Sequence, residues 1–118
     1  MDLGIGGRNA IVCASSRGLG KGCAMSLATN GVNVIINGRD EAVTMATADE
    51  IRGASDVQVT PVIADVSTKD GQAALLAACP QPDILVNNNG GPPFRDFRDL
   101  TREDMLEGVT MNFATPIE

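Results

Sequence analysis

The 118-residue sequence contains no histidine, no tyrosine and no tryptophan. Without histidine there is no Ser/His pair and no HExxH helix, which excludes a serine–histidine relay and zinc-protease chemistry for these residues. The missing tyrosine and histidine also remove two side chains commonly used to move a proton near neutral pH. Cysteine is scarce: Cys13, Cys23 and Cys79 are odd in number, far apart and set in apolar segments, with no CxxC. They read as buried thiols of a reducing compartment, the cytoplasm, rather than a disulfide frame or a metal site. No run approaches the roughly 18 uninterrupted apolar residues of a membrane span, and the opening MDLGIGGRN lacks the long apolar core of an export signal. Lysine and arginine are outnumbered, giving a formal charge of -6, and no basic run occurs. That speaks against nucleic acid or a membrane surface as partner. Aromatics amount to three phenylalanines, which with the five methionines read as core or interface filler.

What is present is an alternation of short β-branched runs with longer stretches of helical period, the pattern of βαβ units on a parallel sheet. One α/β domain over residues 1–118 is expected. The first strand runs Asn9 to Ala14, followed by a helix from Gly18 to Asn30 with Leu19, Cys23, Ala24, Leu27 and Ala28 on its apolar face and Gly31 beyond its end. Strand two is Val32 to Asn37. Asp40 then caps a helix to about Arg52, with Val43, Ala46 and Ile51 inward. Strand three is Val57 to Ala64. Ser67 to Asp70 resembles a capping box for a helix reaching Cys79, which Pro80 and Pro82 end before strand four, Ile84 to Asn88. Gly90, Gly91, Pro92 and Pro93 form a loop. Thr101 and Asp104 open a last helix with Met105, Val109, Asn112 and Phe113 on one face. Right-handed crossovers predict a partial Rossmann-type doubly wound parallel sheet of order 3-2-1-4, with a ligand cleft at the carboxyl ends of strands one and four.

At the first strand-to-helix junction, Gly18 and Gly20 let the backbone approach a pyrophosphate, whose charge the helix N-terminus stabilises. A glycine loop alone serves a tight turn equally well. A second ordered element, Asn87-Asn88-Asn89-Gly90, follows strand four. Together, Cys13 to Gly20 and Asn87 to Gly90 resemble the TGxxxGxG and NNAG elements of the short-chain dehydrogenase/reductase family. The likeness extends over the whole chain as the amino-terminal half of a member, with Asp65-Val66 after strand three and Asn112 on the last helix. Departures are Cys13 at the family's threonine, Ala14 at its first glycine and Asn89 at its alanine.

The resemblance implies that Ala14, Ser15, Ser16, Arg17, Gly18, Leu19 and Gly20 surround the cofactor pyrophosphate. It implies that Asp65, beside Val66, meets the adenine amino group, and that Asn87, Asn88, Asn89 and Gly90 line the cleft, with Gly90 leaving room for the ribose. Asn112 is the one catalytic residue carried over; in the family it sits at a helix irregularity and holds a water. The family's tyrosine and lysine follow that helix, so the chain resembles a cofactor-binding half without its catalytic half.

At the end of strand two, Gly38 stands where an NAD-preferring site has an acid, and Arg39 follows it. Arg39 and Arg17 could converge on a 2′-phosphate, which predicts NADP (NADPH) as cofactor; two solvated surface arginines are the plain alternative. The implied reaction is reduction of a ketone or oxidation of a secondary alcohol on a small-molecule substrate. The Gly-Gly-Pro-Pro loop is similar to that of bacterial members related to 3-oxoacyl-acyl-carrier-protein reductases, which suggests a 3-oxoacyl thioester. Two other readings stand beside this one. A non-catalytic module would bind NADP or pair with a longer subunit. A methyltransferase or flavodoxin-like regulator would share the sheet without the two motifs. An open fourth strand and an apolar last helix predict a homo-oligomer.

Overall fold

Successive residues of a strand face opposite sides of its sheet, so two strands can feed two cores. In the computed structural model, which describes residues 2–91 and 94–118, Ala10, Val12, Val34 and Ile36 join one core and Ile11, Cys13 and Ile35 the other. Strands β1 (Asn9–Val12), β2 (Asn33–Gly38), β3 (Val59–Ile63) and β4 (Ile84–Val86) are parallel and ordered β3-β2-β1-β4. This is the partial Rossmann-type order predicted from the sequence. Helices α1 (Gly18–Thr29) and α2 (Glu41–Ala54) bury Ala24, Ala28, Ala48 and Ile51 in the first core. Helix α3 (Lys69–Ala78) brings Leu75, and Cys79 just beyond it, to the second. The near-continuous burial of β1 and β2 is that of strands covered on both faces. β3 pairs only with β2, and such an edge tolerates Pro61, which has no N–H to donate.

Strand ends are shorter than the apolar runs suggested. β1 stops at Val12 because Ala14 turns to a φ of +47°; β3 loses residues at both ends and β4 stops at Val86. Two helix starts match expectation. The Asp40 side chain accepts from the Val43 N–H at 3.1 Å. Thr101 and Asp104 form a reciprocal capping box at the start of α4 (Arg102–Val109), with bonds of 2.9 and 3.2 Å. The third differs: Thr68, not Ser67, caps α3 by accepting from the Gly71 N–H at 3.0 Å. Ser67 instead closes back on Asp65, to which its N–H and hydroxyl both donate.

The inward helix faces also need correction. On α1, Leu19 and Cys23 are exposed, and the buried row is Gly20, Ala24 and Ala28 with Leu27 half-buried. Buried thiols are therefore Cys13 and Cys79 only. On α2, Ala46 is exposed while Thr44 and Thr47 are buried. Phe94, Phe97 and Phe113 are exposed and add nothing to either core. Beyond α4 the helix widens into a π turn, Thr110–Ala114, and continues as the short α5 (Thr115–Ile117). That turn breaks the 3.6-residue period on which Asn112 and Phe113 were aligned with Met105 and Val109. Of the expected loop Gly90 to Pro93, Pro92 and Pro93 lie outside the described residues. Among the described residues no helix is long and apolar enough to cross a membrane.

Candidate functional site

The carboxyl ends of all four strands open on one cleft of about 530 Å³. From the β1–α1 junction it receives Ala14, Ser16, Arg17 and Leu19, and from the end of β2 Asn37, Gly38, Arg39 and Asp40. Ala64, Asp65 and Val66 after β3, and Asn88, Asn89 and Gly90 after β4, complete the wall. Leu19, exposed as it is, lies over this cleft rather than against the sheet. Ser15, Gly18, Gly20, Asn87 and Asn112 are not part of the wall.

Ala14 adopts the left-handed region, which disfavours any side chain, and two neighbouring side chains hold it there. Its N–H donates to Asn37 Oδ1 at 3.0 Å, and its carbonyl accepts from Asn88 Nδ2 at 3.1 Å. Ser15 is fully buried. Its N–H donates to the Asn37 carbonyl at 2.7 Å, and its hydroxyl donates to the Val12 carbonyl at 2.7 Å while accepting the Asn37 N–H at 2.8 Å. Ser15 thus braces β1 against β2 from beneath the cleft wall. The Ser16 carbonyl accepts from Thr47 Oγ1 at 2.6 Å. Gly20 lies beneath the turn, where a Cβ would collide with the Ala14 carbonyl and stand 2.8 Å from Asn88 Nδ2. Its part is close packing of loop and β4 turn. Asn37 also donates to the carbonyls of Ala64 at 3.0 Å and Val62 at 3.3 Å, so one buried amide joins two walls of the cleft. Sequence reasoning passed over Asn37 and Thr47. For Asn37 a signal existed: an amide closing an otherwise apolar strand has to be paired.

The start of α1 is electrostatically open. Asp40, Thr68 and Thr101 cap α2, α3 and α4 with their side chains, whereas Arg17 gives α1 no side-chain cap and its first turn holds no acid. Among the described residues the N–H groups of Gly18, Leu19 and Gly20 find no acceptor, which leaves the positive end of the helix available to an anion. Arg17 and Arg39 both border the cleft and neither forms an ion pair among the described residues. Gly38, which borders the same cleft, has little space for a side chain: a Cβ would collide with Thr44 Oγ1 and stand 2.8 Å from Ser16 Cβ and Oγ.

Asp65 Oδ1 accepts the Ser67 hydroxyl at 2.5 Å and the Ser67 N–H at 2.9 Å. These bonds, with a smaller contribution from the Arg39 charge, hold its carboxyl below the ordinary aspartate range despite partial desolvation. Burial pushes the pKa of the Cys13 thiol up, against the opposing Asn88 N–H. Asn87 turns away from the cleft and donates to the Pro116 carbonyl at 3.4 Å. Asn89 donates to the Met111 carbonyl at 3.3 Å, and Asn112 to the carbonyls of Gly108 at 3.2 Å and Gly90 at 3.4 Å. The β4 turn and the π turn are thereby joined, and Asn112 does sit at a helix irregularity. At Gly90 a Cβ would stand 2.8 Å from Met111 Cε, so its missing side chain accommodates that methionine. No group of three metal-binding side chains occurs among the described residues.

The pattern of the family described as short chain dehydrogenase matches residues 8–118. An uncharacterized oxidoreductase of Bacillus subtilis, YvaG, is 42% identical over 118 residues, covering 99% of this chain and 45% of that protein. L-rhamnose 1-dehydrogenase (NAD(P)(+)) of Azotobacter vinelandii is 35% identical over 113 residues, covering 89% of this chain and 44% of that protein. Among solved structures, L-sorbose reductase of Gluconobacter frateurii complexed with NADPH and L-sorbose superposes with a TM-score of 0.90 at 26% identity, covering 99% of this chain and 46% of that one. The chain spans less than half the length of these relatives.

Proposed function

Because the chain belongs to the short-chain dehydrogenase family, we propose that its cleft binds NADP(H) and serves an oxidoreductase that interconverts a ketone and a secondary alcohol. One observation carries the cofactor reading: an uncapped helix N-terminus shares its cleft with the guanidinium-bearing Arg17 and Arg39, which form no ion pair among the described residues, and a side chain at Gly38 would crowd Thr44 and Ser16. That donor set fits a dinucleotide with an additional phosphate on its adenosine ribose. The N–H groups of Gly18, Leu19 and Gly20 would hold the pyrophosphate, and Arg17 and Arg39 the 2′-phosphate. Asp65, ionised and acceptor-only, would take the adenine amino group, with Val66 alongside; Asn88, Asn89 and Gly90 would border the ribose and nicotinamide. The bound nicotinamide supplies hydride transfer to or from the substrate carbon. Asn112 would hold a water for the accompanying proton, through an Oδ1 that has no donor among the described residues.

The relatives' substrates are sugars in two cases above, and (2S)-[(R)-hydroxy(phenyl)methyl]succinyl-CoA dehydrogenase subunit BbsD of Thauera aromatica, at 35% identity, is named for a thioester. Sugars and 3-oxoacyl thioesters are therefore the first carbonyl classes to assay. The exposed Met105, Leu106, Val109 and Phe113 support assembly into a homo-oligomer. A second reading is an NADP-binding or subunit-pairing module without turnover. Fluorescence titration with NADPH and NADH tests the site. Tighter binding of NADPH supports it, equal binding refutes the NADP preference, and no binding of either refutes the site. NADPH binding without turnover of any ketone would favour the module.

A further inference from the structure

We propose that Thr47 is a specificity-determining positioning residue, which holds the Ser16 carbonyl and so keeps Arg17 and Arg39 aligned on one phosphate. This rests on the NADP(H) reading above. Thr47 lies on α2, 31 residues from Ser16 in sequence, and is 3% exposed. A helical threonine ordinarily turns its hydroxyl to the carbonyl four residues back, as Thr44 does to Asp40 at 2.6 Å. Thr47 instead donates across to the loop after β1, at 2.6 Å. Among the described residues no backbone N–H takes up the Ser16 carbonyl, so Thr47 is its partner.

Each end of this bond leads to a guanidinium. Ser16 precedes Arg17, whose own side chain makes no cap that would fix it. On the other side, Arg39 precedes Asp40, the N-cap of α2, and the first turn of α2 is stiffened by the Asp40 cap on Val43 and by Thr44 N–H and Oγ1 donating to the Asp40 carbonyl. Arg39, Asp40, Thr44, Thr47, Ser16 and Arg17 thus form one continuous path, in which Thr47 to Ser16 is, among the described residues, the one hydrogen bond between α2 and the loop. The Lys21–Glu50 pair also links α1 to α2, but it is solvent-exposed and holds the helices rather than the loop. Without the Thr47 hydroxyl the Ser16–Arg17 peptide can move while α1 stays packed through Ala24 and Ala28. The loss then falls on a ligand that needs both guanidiniums and spares one held by the helix N-terminus alone.

The test measures dissociation constants for NADPH and NADH, with thermal unfolding, on the unsubstituted protein and on Thr47→Val, Thr47→Ala and Thr47→Ser. The expected result is NADPH binding weakened about tenfold in Thr47→Val and Thr47→Ala, with NADH within about twofold, and the original ratio kept in Thr47→Ser. Equal weakening of both cofactors, or no change in either, overturns the inference, as does a Thr47→Ser protein that has lost the preference. Thr47→Ala supplies the ratio if the valine fails to pack. Should the unsubstituted protein bind NADH as tightly as NADPH, the cofactor reading itself falls before any variant is compared.

Discussion

Replacing Ala14 with glycine should make the protein more stable, although it deletes a methyl group. The residue occupies a φ of +47°, a region that costs an L side chain about 1–2 kcal/mol. Glycine removes that cost but adds freedom to the unfolded chain, which takes back about 0.4–1 kcal/mol. The groups that hold the turn, Asn37 Oδ1 and Asn88 Nδ2, bond to the backbone of residue 14 and persist in the variant. The net expectation is about 0.5–1 kcal/mol of added stability, or a rise in Tm of about 2–5 °C for a chain of this size. Thermal unfolding followed by circular dichroism reads this directly. Ala14→Val provides the opposite arm, since a β-branched side chain in this region should cost about 1–3 kcal/mol. NADPH affinity should be unchanged in Ala14→Gly, because side chains from β2 and β4 already dictate the turn. A Tm for Ala14→Gly at or below that of the unsubstituted protein would refute the strain argument.

Three further expectations concern the cleft wall. Arg39→Asp should weaken NADPH binding far more than NADH binding; equal losses in titration would remove Arg39 from the phosphate site. Gly38→Asp, the obvious route to NAD preference, should instead lower Tm and weaken both cofactors, because its Cβ would meet Thr44 Oγ1 and Ser16; a stable variant that gains NADH affinity would contradict that crowding. Ser67→Ala should reduce stability at neutral pH, since Ser67 lowers the folded-state pKa of Asp65. A lowered pKa contributes stability above the unfolded value, near about 3.9, and loses it as pH falls through the folded one. The difference between variant and parent should therefore close in acid, and a gap independent of pH would dismiss the linkage.

Fold and cleft were legible in the sequence because the features that set them are local. The alternation of apolar runs with helical segments, and right-handed connection, fix the order β3-β2-β1-β4. Cleft residues such as Arg17, Arg39, Asp65 and Asn88 follow from lying just after a strand. Hydropathy failed where a hydroxyl or amide was satisfied by a distant partner. Thr44 and Thr47 are buried on α2 because each hydroxyl is bonded, whereas Ala46, more apolar by any scale, faces solvent. Leu19 was assigned inward by its chemistry, yet it stands over the cleft at the first turn of α1. The α3 cap lies one residue further on, at Thr68, while the Ser67 hydroxyl donates to Asp65. Nothing in the periodicity around Asn112 announces a π turn, which depends on the backbone and on contacts with the β4 turn.

The central position of β1 also determines the order in which this domain assembles. Asn9 and Asn33, which bond across β1 and β2, are 24 residues apart, whereas Asn88 meets Ala14 across 74. Closing the longer loop costs about 1 kcal/mol more in chain entropy, so the β1–α1–β2 unit forms first and β4 docks onto it late. The β1–α1 loop therefore reaches its final shape only as the last wall of the cleft arrives, when Asn88 engages the Ala14 carbonyl. A ligand that needs the finished cleft has nothing to hold in the earlier species; it prolongs the life of the folded state by slowing escape from it and leaves the early steps of folding at their own pace.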